Sequence, residues 1–166
     1  MKFYENMETV MKYYTAYGAF LSVSDGRDTN TMTVSWGHLG LMWDMPCWMV
    51  MVRPQRHTFK ILENAEDFTL SLPFGGMRDE LTVCGTKSGR DIDKATVVDF
   101  LPARAVKSPV VGGCDVYYEC RIIYRDGFKN ENMPVEIAKR VYGKNDFHSV
   151  YFGEILKQYG KTEGVL

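Results

Sequence analysis

The stretch "CDVYYECRIIYR", residues 114–125, alternates between two kinds of side chain. One face carries apolar and thiol groups, namely Cys114, Val116, Tyr118, Cys120, Ile122 and Tyr124. The other face is mainly polar, with Ile123 as the exception, and carries Asp115, Tyr117, Glu119, Arg121 and Arg125. A repeat of two residues is the period of a β-strand. The stretch therefore predicts a long antiparallel strand that is half-exposed.

Shorter strand patterns occur on both sides of this stretch. Residues 17–24 and 30–36 flank the turn-forming letters "DGRDTN", so these two strands are predicted to form a hairpin. Residues 47–53 are apolar on both faces, which places that strand either centrally in a sheet or at a subunit interface. Two more strands are predicted over residues 67–73 and 147–156.

The predicted helices are few and short. They cover residues 57–66, with Thr58 as the N-cap, then residues 76–85 and residues 133–143. About seven short strands with inserted helices and no βαβ repeat are typical of a β-barrel or a sandwich. The sequence therefore predicts a mainly β fold, a β-barrel with short helices, in a single domain over residues 1–166.

Composition and spacing exclude several classes of function. Twenty basic and 21 acidic residues give a net charge of −1, so no nucleic-acid partner is expected. No stretch has the apolar length of a membrane span, and no signal peptide is recognisable, so a cytoplasmic protein is expected. The histidines and cysteines show no metal-ligand spacing, and no catalytic triad is visible. The four cysteines are predicted to be buried, reduced thiols: Cys47, Cys84, Cys114 and Cys120.

The strand "NTMTVSW", residues 30–36, places three hydroxyl side chains in a row on one face. These are Thr31, Thr33 and Ser35, while Met32, Val34 and Trp36 fall on the other face. A row of small donors suits a ligand rich in oxygen atoms. A solvated strand face, with threonine favoured by its β propensity, explains the pattern equally simply.

Two further segments carry groups that suit an anion. In "RPQRHTF", residues 53–59, two arginines precede a predicted helix N-terminus, which is a suitable place for a phosphate. In "CGTKSGRDIDK", residues 84–94, hydroxyls and lysines flank glycines without the spacing of a P-loop. Ordinary solvated loops remain the alternative for both segments.

The order of these segments resembles the flavin reductase-like family, which includes flavoredoxin. The most specific part is N-x-M-T-V-S-W, followed by R-x-x-R-x-T and then by "EDFTLSLP". "HSVYFGEIL" at residues 148–156 extends the resemblance over nearly the whole chain. The resemblance implies an FMN-binding split β-barrel and a homodimer with FMN at or near the subunit interface.

The resemblance also implies roles for individual residues. Along the strand, Asn30, Thr31, Met32 and Thr33 would run beside the isoalloxazine ring, with Ser35 and Trp36 toward the ribityl chain and phosphate. Arg53, Arg56 and Thr58 would bind the phosphate, and the loop residues Ser88, Gly89 and Lys94 would close over the flavin. His148 would lie at the mouth of the site and meet the electron donor, unless it is only a strand residue paired with a neighbour.

These roles together predict a flavoprotein oxidoreductase that takes electrons from NAD(P)H. The acceptor would be free flavin, a ferric complex or another redox protein. A dinucleotide-binding GxGxxG is absent, so a nicotinamide would have to stack directly on the flavin. Two alternatives stay open: an electron carrier with tightly bound FMN and a redox protein as donor, and a flavin-free binding module on the same barrel.

Overall fold

The computed structural model of the protein describes residues 4–143 and 146–160. This part of the chain contains nine β-strands and four α-helices. The strands are β1 (Ala19–Ser24), β2 (Thr29–Val34), β3 (Gly37–Met42), β4 (Met45–Val52), β5 (Asp67–Leu72), β6 (Phe100–Leu101), β7 (Val110–Val111), β8 (Val116–Gly127) and β9 (Ser149–Gly160). The helices are α1 (Met7–Tyr17), α2 (His57–Leu62), α3 (Arg78–Thr86) and α4 (Val135–Val141).

Seven of these strands form one antiparallel sheet in the order β2-β1-β5-β8-β9-β4-β3. The sheet curls until β2 at one edge contacts β4 near the other edge. The two remaining strands, β6 and β7, pair with each other. The prediction of a mainly β barrel with short helices is confirmed, and so is the hairpin of β1 and β2. A single domain over residues 1–166 stays a prediction, and part of that range lies outside the described residues.

The core consists of two clusters of buried side chains on opposite faces of the sheet. The larger fills the barrel and includes Trp48, Phe68 and Tyr118. The smaller lies beneath β6 and β7 and includes Tyr117 and Tyr159, whose rings stack at 5.1 Å. All four cysteines are buried, as predicted.

Strand β8 corrects one detail of its predicted exposure. Its first half is buried on both faces, and only its second half is open to solvent. The face predicted to be polar and exposed is covered because the segment carrying β6 and β7 folds over it. Buried Glu119 accepts hydrogen bonds there from the backbone N–H groups of Arg104 and Ala105 and from the Tyr159 hydroxyl.

Four elements were not predicted, and one N-cap was wrong. The pattern did not indicate α1, the edge strand β3 or the paired short strands β6 and β7. Helix α2 begins at His57 with Arg56 in the N-cap position, so Thr58 is not the N-cap. No helix in the two described ranges is both long and apolar enough to cross a bilayer.

Candidate functional site

Three segments that lie far apart in sequence meet around one polar pocket of about 320 Å³. The start of β2 contributes Asn30, Thr31 and Met32. The connection from β4 into α2, residues 53–58, forms a second wall. The end of α3 and the loop after it, residues 84–90, form the third. The sheet brings them together because β2 is an edge strand against which both helices pack.

The charges around this pocket are of one sign. Four cationic side chains line it, Arg53, Arg56, Lys87 and Arg90, and no carboxylate is among its described lining residues. Some of their donors are already used: Arg56 donates to the Gly85 carbonyl at 2.9 Å, and Arg90 donates to the Gln55 carbonyl at 3.2 Å. A guanidinium has five N–H donors, so both arginines keep donors for an anion.

Arg53 is held more firmly than the other cations. It forms an ion pair with Asp146 and donates to the Val141 carbonyl at 3.2 Å. Its guanidinium also lies 5.4 Å from the centre of the Tyr142 ring. The residue therefore lines the pocket while it fixes the C-terminal end of α4, and part of its charge is balanced by Asp146.

A close contact defines the corner where β2, α2 and the loop meet. The Asn30 amide donates to the Thr58 hydroxyl at 2.8 Å, and both side chains are buried. Gly89 fits against them because it has no side chain: a Cβ there would lie 2.4 Å from Oδ1 of Asn30 and 2.7 Å from Cδ2 of His57. Nδ1 of His57 is buried without a hydrogen-bond partner in the described structure. This corner is therefore tightly packed, with one unsatisfied polar atom.

A narrower pocket of about 200 Å³ continues the polar pocket along β2. The two share Met32, Arg53 and Arg56. Residues 33–36, Met51 and His148 complete the narrower one. The two pockets together form a trench that is cationic at the Asn30 end and aromatic at the Trp36 end. Arg53 and Arg56 line both pockets, so which end faces the phosphate stays a prediction.

His148 lies at the aromatic end of the trench. Its ring is 5.4 Å from the Trp36 ring, and its Nδ1 shares a hydrogen bond of 2.9 Å with the Tyr142 hydroxyl. Burial, reinforced by the nearby Arg53 charge, lowers the pKa of His148 to about 4. The imidazole is therefore neutral near pH 7 and adds no charge to the trench.

The hydroxyl row on β2 is largely engaged within the protein. The Thr31 hydroxyl donates to the Leu21 carbonyl, and the Thr33 hydroxyl donates to the Leu81 carbonyl at 2.5 Å. The prediction that this row presents its hydroxyls to a ligand is therefore wrong for these two side chains. The cause is the packing of β1 and α3 against β2, which supplies carbonyl acceptors. Ser35 alone of the three is exposed.

Lys94 does not line the trench, in contrast to the sequence-based prediction. Its side chain is buried, and its ammonium donates to the carbonyls of Val83, Cys84 and Lys87 at 3.3, 3.3 and 2.6 Å. Three donors are all that an ammonium has. Burial lowers the pKa of Lys94 from its usual value. Lys94 is thus a positioning residue that secures the end of α3 and the loop carrying Ser88 and Gly89.

The structure places the other predicted residues along the trench and adds some that the prediction omitted. Ser88 and Gly89 line the polar pocket beside Cys84, whose thiol pKa is raised by burial. His57, Lys87 and Arg90 also line it but were not predicted as binding residues. The signal for Lys87 and Arg90 was present, because both flank Ser88 and Gly89 in sequence. Which of these residues contact a cofactor stays a prediction.

Comparison with known proteins assigns this architecture to a family. Residues 11–163 match the flavin reductase like domain. The chain belongs to that family. The resemblance to this family, which the sequence analysis based on the motifs of β2 and of the segment after β4, is therefore confirmed.

Solved structures of family members share the fold. An FMN-binding protein from Thermus thermophilus with bound 1-cyclohex-2-enone is 25% identical, with a TM-score of 0.70 over 93% of this chain and 75% of that chain. Flavoredoxin from Methanosarcina acetivorans is 20% identical, with a TM-score of 0.68 over 86% and 67% of the two chains. An NADH:FAD oxidoreductase from Streptomyces globisporus, in complex with NAD and FAD fragments, is 16% identical, with a TM-score of 0.67 over 87% and 74%. The fold of this flavin reductase-like protein is therefore the split barrel of FMN-binding proteins.

Proposed function

We propose that this flavin reductase-like protein binds FMN in the trench and acts as an oxidoreductase that takes electrons from NAD(P)H. The observation that carries the proposal is the division of the trench into a cationic end and an aromatic end. FMN has the same division, since it joins a doubly charged phosphate to a planar ring. Relatives that bind FMN, and one named as an NADH:FAD oxidoreductase, support the proposal.

The residues present fit the phosphate of FMN. Four cations and no described carboxylate line the polar pocket, and Nδ1 of half-buried His57 has no hydrogen-bond partner in the described structure. Arg56 and Arg53 would bind the phosphate, with Ser88 and the backbone at Gly89 closing over it. Thr58 would act through Asn30, whose side chain it holds. Helix α2, with six residues, contributes little dipole of its own.

The ring would lie at the aromatic end of the trench. Met32 and Thr33 of β2, and Ser35 just after it, would follow one edge of the ring through their backbone, and β2 has no strand on its outer side in the described sheet. Trp36 and Met51 offer apolar contact, and neutral His148 offers one ring nitrogen. FMN, when bound, exchanges electrons one or two at a time. The side chains of this protein would bind and orient the ring and would supply no general acid or base.

Titration of the purified protein with FMN tests the cofactor assignment. A micromolar dissociation constant corresponds to about −8 kcal/mol, which a few charged hydrogen bonds and ring contact can supply. Arg56→Ala should weaken FMN binding by about 1.5–3 kcal/mol, roughly ten- to a hundredfold. Arg27→Ala, at an exposed turn outside the trench, is the matched control. An unchanged FMN affinity in Arg56→Ala would remove this residue from the site.

The electron donor is tested separately. Steady-state oxidation of NADH or NADPH, followed at 340 nm with FMN and an acceptor present, is expected if the protein turns over. Binding of FMN without such oxidation would favour the alternative, an electron carrier that exchanges electrons with a redox protein. A colourless protein that takes up no FMN would favour a flavin-free binding module.

We also propose that the protein is a homodimer. Leu41 and Trp43, at the tip of the β3–β4 hairpin, are 66% and 64% exposed. The outer face of the neighbouring strands adds Met49 and Phe152, which lie side by side in the sheet. Apolar surface of this kind is typical of subunit contacts. Light scattering on the eluting protein should give twice the chain mass, and Trp43→Glu should give the chain mass.

A further inference from the structure

A third pocket, of about 540 Å³, lies at the aromatic end of the trench. Its volume is within the range of small-molecule sites in proteins. Its walls are the end of β8, the segment that follows it, α4 and Val150 of β9. The side chains are mostly aromatic and aliphatic, among them Tyr124, Phe128, Met133 and Ile137. We refer to it as the apolar pocket.

Arg53 connects the wall of the apolar pocket to the trench. Ile137 and Val141, four residues apart on α4, both line the pocket. The end of this helix is fixed by the hydrogen bond from Arg53 to the Val141 carbonyl. Tyr142 lines the pocket and is hydrogen-bonded to His148 in the trench. The pocket wall is therefore anchored by the same residues that shape the trench.

The apolar pocket adjoins the place proposed for the flavin ring. Trp36 and Met51 line both the apolar pocket and the narrower part of the trench. No other described residue lines both. An occupant of the apolar pocket and a ring in the trench would therefore both lie beside these two side chains.

The polar groups of the apolar pocket argue against an anionic occupant. Its carboxylate, Asp126, accepts hydrogen bonds from the Gly127 N–H and the Tyr124 hydroxyl. The Gly127 N–H is the main reason that the pKa of Asp126 lies below its usual value, so the group is ionised at neutral pH. Lys129 is the one cation among the described lining residues, and it balances this charge without exceeding it. A pyrophosphate or a carboxylate would gain nothing here that the polar pocket does not offer better.

We propose that the apolar pocket binds a neutral, ring-bearing small molecule, such as an aromatic or conjugated carbonyl compound. The idea that this molecule exchanges electrons with the protein rests on the proposed function. Its binding does not, because none of the pocket walls requires FMN. Polyanionic molecules bind instead at the cationic end of the trench.

Two probes of nearly equal shape test the proposal: neutral 2-acetylnaphthalene and anionic 2-naphthoate. Their dissociation constants are measured by saturation-transfer NMR on the purified protein without FMN. The neutral probe should bind about tenfold more tightly, because the carboxylate of 2-naphthoate loses hydration against apolar walls that offer it no surplus positive charge. Asp126→Asn removes only an exposed charge and should change the ratio of the two dissociation constants by less than about threefold.

The pocket is identified by a pair of variants on α4. Ile137→Glu places a charge in the wall and should weaken the neutral probe by about tenfold or more. Val135→Glu, on the same helix but outside the lining and 63% exposed, should leave the affinity within about twofold. Both variants should bind FMN like the unmodified protein.

Several results would overturn the proposal. These are no binding of the neutral probe, equal binding by both α4 variants, or preference for 2-naphthoate. A change of assembly mass in Ile137→Glu alone would show that a second subunit covers this surface, which also excludes a ligand site. A protein that binds the neutral probe but does not bind FMN would contradict the proposed function and leave the proposal for the apolar pocket intact.

Discussion

Replacing Lys94 with methionine should lower the free energy of unfolding by about 3 kcal/mol. The buried ammonium donates to three carbonyls, of Val83, Cys84 and Lys87. The Val83 carbonyl keeps a second donor, the Lys87 N–H at 2.9 Å, so the cost falls mainly on the other two. A buried acceptor left without a partner costs about 1–3 kcal/mol, so two such carbonyls cost about 2–6 kcal/mol. Removing the buried ammonium charge offsets part of this cost, because burying a charge is itself unfavourable.

Chemical denaturation of the protein without FMN measures this effect. For a chain of this length, about 3 kcal/mol corresponds to a fall of roughly 6–12 °C in the melting temperature. Lys87→Met is the matched control, because this exposed side chain should change the free energy of unfolding by less than about 0.5 kcal/mol. Methionine approximates the length of lysine, so packing is largely preserved.

The Lys94→Met variant also separates two roles for Lys94. As a positioning residue, it should affect FMN affinity only as far as the loop carrying Ser88 and Gly89 loses order. A Lys94→Met protein that melts like the unmodified protein yet loses FMN would refute this reasoning. That result would restore the direct contact with the flavin that the family resemblance implied.

Further substitutions test the corner and the aromatic end of the trench. Gly89→Ala would bring a Cβ to 2.4 Å from Oδ1 of Asn30, so FMN affinity should fall about tenfold and the free energy of unfolding by about 1–3 kcal/mol. Gly40→Ala adds a Cβ with no atom within 4 Å and should show neither loss. FMN titration and thermal melting measure the two effects. Folding lowers the pKa of His148 to about 4, so the unfolded chain takes up this proton first and stability should fall as pH drops from about 6.5 to about 4, by up to about 3 kcal/mol. Below about pH 4 the histidine is protonated in both the folded and the unfolded state, so its contribution to stability stops changing. When urea unfolding midpoints are measured against pH, His148→Asn should therefore reduce the loss of stability in acid. His38→Asn, at an exposed position, should not.

The sheet was predictable because its strands repeat a local pattern. The alternation in β8 and the turn between β1 and β2 are visible in neighbouring residues, and the structure confirms both elements. Strand β3 was missed because only Leu39 is buried in it, and glycine is uncommon in strands. Edge strands of this kind are defined by the partner they pair with, here β4, rather than by their own composition.

The site was predictable in its segments but not in its hydrogen bonds. The arginines after β4 and the loop after α3 were identified from residue type, and the fold brings them to one pocket. The partner of the Thr33 hydroxyl is a carbonyl 48 residues away, and such a pairing leaves no trace in the local pattern. Lys94 misled for the same reason: a lysine in a polar loop is usually exposed, and only the end of α3 explains its burial.

Arg53 links the cationic pocket to helix α4. The guanidinium lines the cationic pocket, and it also holds the last carbonyl of α4 and the carboxylate of Asp146. A phosphate that takes the remaining donors of Arg53 would share one guanidinium with these two partners. Because α4 forms a wall of the apolar pocket, the position of this wall depends on how Arg53 is engaged. An anion at the cationic end of the trench and a ring-bearing ligand in the apolar pocket would therefore be coupled through a single side chain.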